Sequence, residues 1–198
     1  AGHPRSHMTA KAPARRAPPH EVRIVGGRWK RSKLPVLDKP GLRPTPDRVR
    51  ETLFNWLGGD LSGWRVLDAF AGSGALGFEA ASRGATDVTL LERDRDLLRV
   101  LREAQQRLSA TALHIHQADA LAWMARGPAC AFQLVMLDPP FDAGLTQPAL
   151  AAAAPLVAPA GWLYLESGEA LAEAPAGFRL HRQLRAGAVH AQLLQRDG

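Results

Sequence analysis

The chain has 198 residues, 46% of them apolar, a single cysteine and a formal charge of +6. That length supports one sizeable core rather than two. No uninterrupted apolar run approaches the ~18 residues of a membrane span, and a lone thiol, Cys130, excludes an internal disulfide and a cysteine-rich zinc site. Charge is unevenly spread. Residues 1–50 hold 13 Lys/Arg against 3 Asp/Glu, a net +10, and the remaining residues hold 12 against 16, a net −4. A basic amino end on a mildly acidic body points to a polyanion-binding flank, with nucleic acid the obvious partner.

Residues 1–20, rich in Ala, Pro, Arg and His, are expected to be disordered, and residues 1–7 before Met8 look like a vector remnant. Nothing there resembles the apolar core of a signal peptide, so cytoplasmic residence is the default expectation. Residues 21–198 are read as one domain with an amino-terminal extension over 22–57. In that extension Val22–Val25, Gly26-Gly27 and Arg28–Leu34 read as a small basic β-hairpin. Arg23, Arg28, Lys30, Arg31 and Lys33 are candidates for phosphate contacts. Trp29 can stack on a base or equally pin the hairpin to the body.

In Arg43-Pro44-Thr45-Pro46-Asp47, Thr45 is a good N-cap, Pro46 suits the first helical position and Asp47 favours the positive helix end. The helix should run to about Leu57, where Gly58-Gly59 stops it. Arg43, Thr45 and Arg50 are open between structural roles and contacts to cofactor or RNA phosphate.

From Trp64 the pattern alternates. Strands are expected at Arg65–Phe70, Asp87–Glu92, Ala112–His116, Phe132–Asp138 and Gly161–Glu166, and helices at Ala75–Ser82, Arg93–Leu108, Ala120–Met124 and Thr146–Ala154. Repeated βα units imply a parallel sheet covered by helices on both faces, with ligands at the carboxyl ends of the strands. Phe178–Leu184 and Ala188–Gln195 read as a closing antiparallel hairpin. His114 and His116 alternate on one strand without a further ligand nearby, so no metal site is expected.

The first strand leads into Asp68-Ala69-Phe70-Ala71-Gly72-Ser73-Gly74-Ala75-Leu76-Gly77, which contains the G-x-G-x-x-G spacing of dinucleotide sites. Asp68 argues against a pyrophosphate, since its charge would repel one. It suits a ligand bearing an ammonium, such as the methionine end of S-adenosylmethionine. Glu92, 20 residues beyond Gly72, stands where an acid accepts from ribose hydroxyls. Asp119 could accept from an adenine amine and the Ala120 N–H could donate to the ring. Each acid has a helix cap as its bland alternative; their recurrence at the ends of three successive strands favours a site.

The fourth strand ends in Asp138-Pro139-Pro140-Phe141. Two prolines make a stiff corner and supply no N–H, so the Pro139 carbonyl can face outward. Together with the Asp138 carboxylate and the Phe141 ring, it suits a planar group bearing an NH₂, such as a nucleobase. The plain alternative is a strand-terminating turn, with Asp138 a cap and Phe141 in the core.

Asp68–Gly74 and Asp138–Phe141 resemble the glycine loop and the amino-methylating motif of class I S-adenosylmethionine-dependent methyltransferases. Val22–Lys33, then Arg43-Pro44-Thr45-Pro46-Asp47-Arg48-Val49-Arg50-Glu51-Thr52-Leu53-Phe54-Asn55-Trp56-Leu57, narrow the resemblance to the bacterial D-type small-subunit (16S) rRNA guanine-N2 methyltransferases. It spans residues 22–196. It implies a Rossmann-like, mostly parallel seven-stranded sheet, a carboxyl-terminal antiparallel hairpin and methylation of one guanine in small-subunit RNA already carrying proteins; a monomer is the default expectation. Asp138, Pro139, Pro140 and Phe141 are then the catalytic set. Asp68, Phe70, Gly72, Ser73, Gly74, Glu92, Arg93, Asp119, Ala120 and Thr45 are the set at the cofactor, and Arg43 and Arg50 join the hairpin residues on RNA. Competing readings are methylation of adenine N6 or a protein glutamine, a non-catalytic RNA-binding module, and a nicotinamide oxidoreductase that would leave Asp68 and Asp138–Phe141 unexplained.

Overall fold

The computed structural model describes residues 21–140 and 144–198. Both the tail and Phe141 lie outside the described residues, so the expectations for them rest on the sequence. Among the described residues, nine strands and five α-helices alternate much as the pattern predicts. The amino-terminal ribbon pairs β1 (Glu21–Arg23) with β2 (Lys33–Pro35), and α1 spans Asp47–Trp56. Then come β3 (Arg65–Asp68), α2 (Ala75–Ser82), β4 (Asp87–Glu92), α3 (Arg95–Leu108), β5 (Leu113–Gln117) and α4 (Ala120–Ala125). The chain closes with β6 (Phe132–Leu137), α5 (Thr146–Ala153), a short 3-10 turn, β7 (Val157–Ser167), β8 (Phe178–Ala186) and β9 (Val189–Arg196).

The seven-stranded sheet runs β5-β4-β3-β6-β7-β9-β8, parallel from β5 to β7 and antiparallel at β7-β9-β8. The chain winds outward from β3 to β5, then returns to place β6 on the other side of β3. That reversal opens a crevice beyond the carboxyl ends of β3 and β6. Asp68 pairs with Met136 in register. The glycine loop and Asp138-Pro139 therefore emerge side by side.

Each sheet face buries its own cluster. One gathers Val49, Leu53 and Phe54 of α1, Phe78 of α2 and Leu101 of α3; the other gathers Met124 of α4 and Leu150 of α5. Each such side chain contributes about 1.5–3 kcal/mol relative to exposure. All eight residues of α2 are buried, as befits a helix apolar almost all round.

Three local expectations are corrected. Thr45 does not cap α1: the N-cap position is Pro46, and no side chain caps it. The third helix starts at Arg95 rather than Arg93 because the Asp94 carboxylate caps it, accepting from the N–H groups of Asp96 and Leu97. Residues 28–32 form turns rather than a strand. Ile24 still exchanges bonds with Arg31 and Ser32, but the next backbone groups that a ladder would use are taken by α2. Glu79 accepts from the N–H groups of Val25 (2.8 Å) and Gly26 (3.0 Å), and Ser82 Oγ accepts from the Trp29 N–H (2.9 Å).

Candidate active site

A cavity of about 420 Å³ fills the crevice. Its floor is the glycine loop, with Phe70, Gly72 and Ser73 on the wall. Glu92 and Arg93 stand on one side, Asp119 and Ala120 on the next, and Asp138, Pro139 and Pro140 on the far side. The structure thus brings residues of four separate strand ends around one space.

Each wall residue is held from behind. Glu92 Oε1 accepts from the Gly72 N–H at 3.0 Å, and its Oε2 accepts from the N–H groups of Arg93 (2.8 Å) and Asp94 (2.9 Å). A carboxylate has about four acceptor sites, so one remains for a ligand hydroxyl. Asp119 caps α4 through Oδ2, which accepts from the Ala122 N–H at 2.9 Å. The cap and the site reading are therefore compatible.

Gly72 has φ +55°, and a Cβ there would approach Leu42 Cδ1 to 2.8 Å. Leu42 belongs to a strap, residues 39–45, that covers the cavity; the sequence left Arg43 and Thr45 of this segment open between structural roles and contacts to cofactor or RNA. The strap is fastened at both ends. Lys39 Nζ lies 2.6 Å from Asp96 and 3.4 Å from Asp94, and Thr45 Oγ1 donates to Glu166 at 2.8 Å. Arg43, an expected RNA contact, stands exposed on this strap at the cavity rim.

Several sequence expectations change. Asp68 is not on the cavity wall. It is buried beneath the loop, where Oδ2 accepts from the Gly77 N–H at 3.0 Å and Oδ1 has no hydrogen-bond partner. Burial, reinforced by the charges of Glu92 and Glu166, pushes its carboxyl up to about 7 despite the amide bonds that oppose the rise. Through the Gly77 N–H it ties the end of β3 to the start of α2. Gly74 is likewise off the wall; it starts α2 at φ +84°, where a Cβ would strike Leu101 and Phe78. Arg50 offers nothing to RNA, because it is completely buried. It is paired with Glu79 at 2.9 Å and with Asp47, and its Nε donates to the Thr45 carbonyl.

The other basic candidates remain available: Arg23, Arg28, Lys30, Arg31 and Lys33 are exposed, Lys33 within 3.6 Å of Glu21. Trp29 is half-buried against the core with Arg28 over its ring, so it pins the hairpin. Among the described residues, no group of three His, Cys, Asp or Glu is placed to hold a metal, and no helix is long and apolar enough to cross a membrane.

Glu166, near the end of β7, is the participant that sequence reading missed. It is buried and accepts from Tyr164 Oη at 2.6 Å as well as from Thr45, and after burial itself its charge is the chief cause that holds the Asp138 carboxyl well above the usual carboxylate range. A carboxylate directly after the buried run Leu163-Tyr164-Leu165 was the available signal.

A doubly wound sheet with a glycine turn and an Asp-Pro-Pro corner sharing one crevice defines the Rossmann-like class I methyltransferase architecture. The profile of the family described as conserved hypothetical protein 95 matches residues 22–195. The chain is 42% identical to ribosomal RNA small subunit methyltransferase D of Escherichia coli over 89% of its own length and 91% of the relative's. It is 46% identical to the protein of that name from Haemophilus influenzae, over 66% and 69%. A solved E. coli structure described as a candidate methyltransferase superposes with a TM-score of 0.81 at 39% identity, covering 90% of this chain and 99% of that one. The chain belongs to this family of small-subunit ribosomal RNA methyltransferases.

Proposed function

We propose that the protein transfers a methyl group from S-adenosylmethionine to the exocyclic N2 amine of one guanine in small-subunit ribosomal RNA, acting as a monomer on RNA that already carries proteins. The observation that supports this reading is the meeting of the Asp138–Pro140 corner and the glycine loop around one cavity. The residues suit that donor. Glu92 keeps a free acceptor site for ribose hydroxyls, Asp119 and Ala120 face the space for an adenine, and the side-chain-free Gly72 lets the strap close over the methionine end.

When bound, the donor supplies an electrophilic methyl on a sulfonium. The protein's part is to prepare the nucleophile. The lone pair of a guanine amine is delocalised into the ring. Asp138 and the Pro139 carbonyl would accept its two N–H bonds, draw the nitrogen toward tetrahedral geometry and hold it in line with the methyl. The base must first leave its stack, and Phe141, next in sequence, would lie against it. As the N–C bond forms, one amine proton passes to Asp138 or to water. The test is methyl-label transfer onto small-subunit RNA, naked and protein-bound, with the product mapped by mass spectrometry. One labelled guanine is expected; no incorporation into either substrate would refute the proposal.

Two further outcomes are expected. Gly72→Ala should weaken donor binding about tenfold in calorimetry while the fold persists. The new Cβ displaces Leu42, and the left-handed backbone adds about 1–2 kcal/mol of strain. Unchanged affinity would mean that the strap does not enclose the donor. Neutralising Arg28, Lys30 and Arg31 together should reduce the slope of log affinity for RNA against log salt by about two to three, leaving donor binding intact. An unaltered slope would assign the hairpin another task.

A further inference from the structure

The crevice has two halves. The ends of β3, β4 and β5 bring Gly72, Glu92 and Asp119 to the half assigned to the donor, and β6 brings the Asp138 corner to its border. RNA that lays one base against that corner has the ends of β7, β9 and β8 on the side away from the donor. Register fixes where β8 stands. Leu137 pairs with Leu165, Glu166 with Ala191, and Ala191 with Leu184. Arg185, opposite His190, therefore lies level with the Asp138 corner on the crevice side, three strand spacings or about 14 Å across the sheet.

Charge sets this edge apart. Residues 51–198 hold 12 Lys/Arg against 16 Asp/Glu, yet residues 178–196 hold four Arg and no acid, which leaves the remainder of that stretch at a net −8. Three of the four, Arg179, Arg182 and Arg185, are exposed on β8, the outermost strand of the sheet. The bulge between Leu180 and Arg182 sets Arg179 and Arg182 opposite Gln195 and Leu193, hence on one face despite their spacing of three. From Arg185 to Arg179 the register runs from His190 to Gln195, about 17 Å down from the rim. Their hydrogen bonds go to neutral oxygens. Arg179 Nη2 donates to Gln195 Oε1 at 2.7 Å, and Arg185 Nε donates to the Gly187 carbonyl at 3.1 Å. Among the described residues none of the three is ion-paired, so their charges stay uncompensated. An edge strand needs charge to keep other strands from pairing with it, but either sign does that. A single sign, against an acidic body and spread over such a length, suits a polyanion.

We propose that β8 is a second RNA-docking surface, on which Arg179, Arg182 and Arg185 hold phosphates of the strand that carries the target guanine. The inference rests on the reading of the crevice as an RNA-methylating site. The surface is separate from the amino-terminal hairpin, whose Arg28 N–H is bound to the Ser82 carbonyl at the end of α2 remote from the glycine loop. A backbone held at both places cannot pivot about either, which fixes the guanine over the corner.

The test compares wild type with two triple variants at positions 179, 182 and 185, one all Arg→Gln and one all Arg→Lys. Binding to small-subunit RNA carrying its proteins is measured across a salt series, alongside steady-state methylation. The glutamine variant should reduce the slope of log affinity against log salt by about two and raise KM for RNA about tenfold, the loss appearing in KM rather than kcat. The lysine variant keeps the charges and should keep the slope. A photo-cross-linker replacing Arg182 should attach to RNA. An unaltered slope overturns the inference, as does a lysine variant as weak as the glutamine one or a cross-link confined to protein. Self-association of the glutamine variant with the slope intact also overturns it, leaving β8 a guarded edge and nothing more. The expected loss of slope alongside a wild type that methylates nothing would instead refute the proposed function and leave the docking surface standing.

Discussion

Replacing Asp138 with alanine is expected to lower single-turnover methylation about a hundredfold or more while affinity for S-adenosylmethionine changes little. One preorganised polar group aimed at a reacting atom is worth that much, and the donor's proposed partners, Glu92, Asp119 and the glycine loop, lie on other walls of the cavity. Stability should not fall with it. Asp138 is held among like charges, so its removal relieves repulsion on Glu166 and Asp68. The pH dependence of the wild type follows from the same crowding. Asp138 must be ionised to accept, and its carboxyl is raised, so the rate should climb with pH through a range above that of an ordinary carboxylate. Rapid kinetics on the variant, with calorimetry for the donor and thermal melts, checks all three; a near-normal rate would remove the residue from the chemistry.

Glu79→Ala is expected to be the most destabilising change on the amino-terminal side. The carboxylate is completely buried and serves Arg50, Arg83 and the N–H groups of Val25 and Gly26 together. Removing it strands the buried Arg50 charge, and breaking a buried pair from one side costs about 3–5 kcal/mol. For a chain of this size that corresponds to a fall in Tm of roughly 6–20 °C. Residues 24–32 should lose amide-exchange protection first. Asp47→Ala is the control: it touches the same arginine from a half-exposed position, so it should cost less than about 1 kcal/mol. Similar melting of both variants would show that Glu79 is not what joins hairpin to body.

The sheet was legible because its signals are local. Asp87–Glu92 is a strand and Ala75–Ser82 a helix at the expected boundaries, and the acids ending β4 and β6 fall beside the glycine turn as their order implies. What stayed hidden depends on partners distant in sequence. Thr45 has the profile of an N-cap, yet its hydroxyl serves Glu166, 121 residues away. Arg50 sits in a run of basic residues that reads as RNA-facing, and only the packing of α1 against α2 reveals its pairing with Glu79. Asp68 carries the charge expected of a ligand contact, but a strand end one residue deeper than the cavity wall turns it into a clamp on Gly77. The segment around Arg43 and Thr45 stayed open between cofactor and RNA, since the strap over residues 39–45 takes its order from Lys39 and Thr45, whose partners lie far off in sequence.

On the function proposed, this cavity delivers a methyl group to the amine of a guanine. Nucleoside analysis of small-subunit RNA, digested after reaction with methyl-labelled donor, tests it most directly. The label should co-elute with N2-methylguanosine and vanish with Asp138→Ala. Label on N6-methyladenosine or a ring nitrogen, or undiminished label with Asp138→Ala, would contradict it.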